Sequence, residues 1–114
     1  MIVVDASAAL SGLLNDGAAR QSLAGEQLHA PHLIDSELAS GLRRRVAAHQ
    51  LSAANGWTAL DAWRHLAVTR YALHPLLDRV WQLRDNLSAY AAGYVALATA
   101  LSLSTLHAHP RLHR

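Results

Sequence analysis

The residues Ile2, Val3 and Val4, close to the start of the chain, constrain the fold more than any other stretch. An apolar, β-branched run with no polar alternation is what a strand carries when both of its faces are buried, as in a parallel sheet covered by helices. The run ends on a carboxylate, Asp5, with Ser7 two residues on. In an open α/β sheet, ligands collect outside the carboxyl ends of the strands, where helix N-termini also point. An acid there either caps the next helix or belongs to a site for a divalent cation or an activated water.

The remaining sequence alternates in the same sense. "ASAALSGLL" reads as a helix with Ser7 near its cap, "DGAARQSLA" as a second short helix behind Asp16 and Gly17, and "EQLHA" as a short strand. Pro31 stands where a helix is expected to begin, and "HLIDSELASGLRRRVAAHQ" keeps apolar residues at helical spacing through Leu33, Ile34, Leu38, Leu42 and Val46. Ser52 is placed to cap "AANGWTALDAWRHLA", "VTRY" reads as a strand, and Pro75 introduces "LLDRVWQLR". A long helix, "LSAYAAGYVALATALS", precedes a last strand in "STLHA". This order predicts an α/β fold around a small, mostly parallel sheet. The 114 residues, with no internal repeat or linker, are expected to form a single domain, 1–114.

Composition removes several classes of function. At 52% hydrophobic and 16% charged residues the chain is globular rather than disordered. Without cysteine it has neither disulfides nor a thiolate metal site. Its longest weakly polar stretch, "AYAAGYVALATAL", is too short and too rich in Ala and Gly to span a bilayer, so a cytoplasmic protein without membrane association is expected. All ten basic residues are arginine, a bias typical of GC-rich coding, so the arginine excess alone says little about phosphate binding. The run Arg43, Arg44 and Arg45 suits either a nucleic acid backbone or acidic partner, or a solvated helix end complementing the helix dipole.

The second acid of interest is Glu37. Projected at about 100° per residue, Glu37 falls at the edge of the arc holding Leu33, Ile34 and Leu38, whereas Asp35 falls on the solvated side. A carboxylate turned towards a core requires a cation or strong donors. A structural partner for it would be Arg44, two turns along the same side. Taken with Asp5, Glu37 suggests a metal site for phosphoryl chemistry, because Mg²⁺ prefers oxygen ligands and retains several waters.

Three blocks, "MIVVDASA", "HLIDSELASGLRR" and "LRDNLSAYAAGYVALA", resemble in order and spacing those of VapC-type toxins, the PIN-domain ribonucleases of bacterial toxin–antitoxin pairs. The likeness runs from residue 1 to about 104, leaving 105–114 as a divergent tail. The resemblance implies a three-layer α/β/α PIN-like domain and RNA cleavage dependent on Mg²⁺ or Mn²⁺. It also implies inhibition by a cognate VapB-like antitoxin, and such an enzyme is expected to be a homodimer. Four acids surround the metal in that family. Asp5 matches the first and Glu37 the second, while Ala91 stands at the third and His109 at the fourth.

Half of the acidic set is therefore missing; His109 is either a substitute nitrogen ligand, which would shift metal preference towards Mn²⁺ or Zn²⁺, or an ordinary solvent-exposed histidine of the tail, the reading that termini favour. Losing one carboxylate that touches the metal corresponds to roughly 10²- to 10⁴-fold in rate. The last eight residues hold three histidines and two arginines, a change of character that raises the hypothesis of a frame disruption, testable by reading the coding DNA in all frames. By the same resemblance Ser7 hydrogen-bonds a metal-bound water or the substrate, or else caps its helix, and Asn86, matching the polar residue before the "LSAY" block, either supports RNA binding at the site or caps the following helix. Arg43 and Arg84 are RNA-binding candidates through phosphate contacts. Tyr90 and Tyr94 suit either base stacking or packing, and Trp57, Trp63 and Trp81 suit core or interface.

Two functions from different classes follow: an active endoribonuclease toxin, or a catalytically inactive PIN-like protein that binds an antitoxin or RNA without cutting. A haloacid-dehalogenase-like phosphatase, which also begins with a strand ending in Asp, ranks last because Ser7 occupies the place of its second acid.

Overall fold

Ile2–Val4 forms the first strand, β1, and lies inside the sheet rather than at its edge. Val3 and Val4 are fully buried, as a run apolar on both faces requires. The computed structural model describes residues 1–106. After β1 come α1 (Ala6–Leu14), α2 (Ala18–Gly25), β2 (Leu28–Pro31), α3 (Ile34–Ala47), α4 (Ala53–Arg64) and β3 (Val68–Tyr71). A 3₁₀ turn at His74–Leu76, α5 (Leu77–Gln82), α6 (Ala89–Leu101) and β4 (Ser104–Leu106) complete the described chain.

The strands stand in the order β3-β2-β1-β4, and every pair is parallel. The chain first builds outward from β1 through β2 to β3, then returns to add β4 on the other side of β1. That reversal places the topological switch point, where an α/β sheet opens a crevice, at the carboxyl end of β1. Helix α6 packs across β1, β2 and β4 with α5 beside it, and α1 to α4 pack on one another in a second helical layer. One apolar cluster joins the layers, with Val3, Val4, Ile34, Leu38 and Trp63 its largest fully buried members.

Several expectations need correction. Pro31 ends β2 instead of opening a helix: it pairs with Tyr71 beyond the register in which β1 meets Leu28 and His29, so its missing N–H costs no bond to β1. Helix α3 begins only at Ile34. Asp35, expected to be merely solvated, accepts bidentate bonds from Arg70 (2.6 and 2.8 Å) and one from the Trp63 indole N–H (2.8 Å). Trp63 is core, but Trp57 and Trp81 are 56% and 67% exposed, each with an arginine guanidinium over its ring. His109 and the rest of 107–114 lie outside the described residues.

Candidate active site

Asp5 follows the last residue of β1 and caps α1 from an extended conformation. Its Oδ1 accepts from the Ala8 backbone N–H and from the Ser7 hydroxyl, both at 2.8 Å, and the residue is 4% exposed. The capping role that the sequence left open is thus real and belongs to Asp5, not Ser7. Ser7, one residue into the helix, orients the carboxylate. The cap also sets the acid at the positive end of a helix, where negative charge is favoured.

Glu37 lies in the first turn of α3, which begins just beyond the carboxyl end of β2. Its Oε1 accepts a 2.8 Å bond from the Tyr94 hydroxyl on α6. The expected partner, Arg44, instead donates to the Ser40 hydroxyl at 3.1 Å. Arg44 is two turns further along α3, whereas the Tyr94 side chain reaches the first turn of α3 from α6. Burial pushes the Glu37 carboxyl up, the neighbouring Asp5 charge adds to the effect, and the Tyr94 hydrogen bond opposes it. Tyr94 is itself pushed strongly up, first by burial and then by the charge and hydrogen bond of Glu37.

Asp5, Ser7, Glu37, Tyr94 and Ala91 line one cleft of about 170 Å³, closed by Ala6, Ser88 and Tyr90. Ala91 sits in the first turn of α6, its N–H held by the Ser88 cap at 3.2 Å. Three helix N-termini therefore meet at the switch point, and two of them deliver a carboxylate. The third delivers a methyl group. Among the described residues no three His, Cys, Asp or Glu side chains gather to cage a metal. Two carboxylates repelling each other in one cleft nevertheless fit a hard cation whose remaining positions are filled by water or substrate oxygen.

The other RNA-binding candidates do not line this cleft. Arg84 folds back on its own segment, donating to the Trp81 carbonyl at 2.9 Å with its guanidinium 4.5 Å from the Trp81 ring centroid. Arg43 and Asn86 are exposed on α3 and just before α6. Tyr94 as the anchor of Glu37 was not foreseen. Its signal was the i, i+3 spacing from Ala91, which puts both on one face of α6.

The sequence is 61% identical to ribonuclease VapC9 of Mycobacterium tuberculosis over 112 residues, covering 98% of this chain and 88% of the relative. The chain belongs to the VapC family of PIN-domain ribonucleases. A VapC ribonuclease of Mycobacterium bovis matches with the same identity and coverage. M. tuberculosis VapC1 is 43% identical over 96% of this chain and 86% of its own length. No family model matches. Among solved structures, M. tuberculosis VapC20, described as a Sarcin-Ricin loop cleaving toxin, superposes with a TM-score of 0.74 at 17% identity. The superposition covers 99% of this chain and 93% of VapC20, and shows that the α/β fold is that of a VapC domain.

Proposed function

We propose that this VapC-family chain is the toxin of a type II toxin–antitoxin pair, an endoribonuclease dependent on Mg²⁺ or Mn²⁺, slowed by the loss of an acid at Ala91. The observation that carries the reading is the convergence of Asp5, Glu37 and Ala91 on one cleft at the sheet's switch point. Family membership supports RNA as substrate and a VapB-like protein as inhibitor.

In this reading Asp5 and Glu37 hold the cation and Ser7 keeps Asp5 in the orientation that does so. Tyr94 fixes Glu37 through Oε1, which limits the reorganisation needed when substrate arrives. A cation held there would polarise the phosphodiester and make a water nucleophilic near neutral pH. The N-termini of α1 and α6 direct backbone dipoles towards the negative charge carried by the phosphoryl oxygens of a substrate in the cleft.

Ala91 itself favours a second reading, a domain that keeps its partner-binding surfaces but does not cut. Cleavage of total RNA in Mg²⁺ or Mn²⁺ by the parent, Glu37→Gln and Ala91→Asp separates the two. The enzyme reading predicts slow cleavage by the parent, none by Glu37→Gln or in EDTA, and a gain of roughly 10²- to 10⁴-fold in Ala91→Asp. Cutting by Ala91→Asp with none by the parent favours the inactive domain. Equal cutting by the parent and Glu37→Gln refutes the assignment of the site.

A further inference from the structure

We infer that the groove beside the cleft, between α1, α3 and the first turn of α6, is a subsite for single-stranded RNA. There the Tyr90 ring stacks on a nucleobase and the Arg44 guanidinium holds a neighbouring phosphate. The inference rests on the ribonuclease reading and names the residues that hold substrate next to the acids. The groove, about 520 Å³, adjoins the cleft directly, because Ala6, Ser7, Glu37 and Tyr90 wall both. Beyond that shared wall it passes Ser40 and reaches Arg44.

Glu37 and Arg44 lie seven residues apart on one side of α3, roughly 10 Å along its axis. A chain whose reacting phosphate lies at the acids thus meets Arg44 at an adjacent nucleotide rather than at the reacting one. Arg44 is exposed and donates to a neutral hydroxyl, whereas Arg20, Arg64 and Arg70 each pair with an aspartate. Among the described residues its charge has no acidic partner, so it stays available to a phosphate oxygen.

Tyr90 is 60% exposed, although it is a large aromatic on an otherwise well-buried helix. Its place on the wall common to cleft and groove sets an accessible ring at the point where a base next to the reacting phosphate would turn aside. Stacking needs a free base face, which a duplex does not offer, and this selects single-stranded RNA.

The test is the affinity of the full chain for a fluorescent single-stranded RNA oligonucleotide and for its duplex, in EDTA to prevent turnover. Tyr90→Ala is expected to weaken single-strand binding about 5- to 150-fold, Tyr90→Phe to restore it, and both to bind duplex like the parent. Arg44→Gln is expected to reduce the slope of log affinity against log salt by about 0.7, with Arg79→Gln on α5 as an unchanged control. Both substitutions are on exposed side chains, and an unaltered melting temperature verifies folding. Parental affinity in Tyr90→Ala and Arg44→Gln overturns the subsite, and if the parent still cleaves RNA the ribonuclease reading survives. A parent that neither binds nor cleaves RNA overturns both.

Discussion

At the residue scale the central feature is that Glu37 is held by a phenol rather than by a cation of the protein. Its ordinary ionisation is opposed by burial and by Asp5, so its carboxyl is raised on folding. A group raised in this way favours the folded state below its unfolded pKa, and that contribution is lost as pH rises through the folded value. Glu37→Gln should therefore raise the melting temperature in EDTA near pH 7, with the difference disappearing in mild acid. A melting temperature lowered by Glu37→Gln near neutrality would contradict this. Tyr94→Phe removes the donor to Oε1 and is expected to weaken metal affinity about 10- to 100-fold, as for other partners that orient a metal ligand. Titrating Mn²⁺ into that variant measures it. Asp5 was legible in the sequence because a β-branched run ended on it, and Glu37 because it fell at the edge of an apolar arc. The partner of Glu37 was not legible, since helical projection finds neighbours along α3 but not those on α6.

At the scale of elements, the site depends on how closely α1 and α3 approach. A Cβ on Gly41 would come within 2.6 Å of Leu10 Cδ1, so the missing side chain of Gly41 leaves room on α3 for the buried Leu10 of α1, one turn from Glu37. Gly41→Val should destabilise the protein by about 1–3 kcal/mol and reduce cleavage as the helices separate, measured by urea melts and RNA turnover. A second tie joins α3, α4 and β3, where Asp35 accepts from Arg70 and from Trp63, with the Arg70 guanidinium 5.9 Å from the Trp63 ring centroid. The Arg70 hydrogen bonds hold the Asp35 carboxyl below its ordinary range, with Trp63 acting in the same direction against burial. Stability from this group is present above its unfolded pKa and is lost as pH falls through the lower folded value, that is, below about pH 4. Asp35→Ala should abolish that part of acid sensitivity, and replacing the buried Trp63 by Ala should cost about 3–5 kcal/mol. Chemical melts across pH measure both. Helical periodicity placed α3 well, but Asp35 looked solvated because its partners lie 28 and 35 residues away.

For the whole molecule, the alternation of strands and helices was enough to predict a parallel α/β fold, while the strand order was not readable without tertiary contacts. That order matters for function, because β3-β2-β1-β4 makes the end of β1 the crevice where α1, α3 and α6 bring their N-termini together. A cation bound there links to global stability by mass action, about 2.7 kcal/mol when its concentration is 100 times the dissociation constant. The most direct measurement is calorimetric titration of Mn²⁺ into the parent, Glu37→Gln and Ala91→Asp. One site in the parent, weakened at least about tenfold in Glu37→Gln and tightened in Ala91→Asp, is the predicted result. The same affinity in all three, or no binding to any of them, would contradict the account.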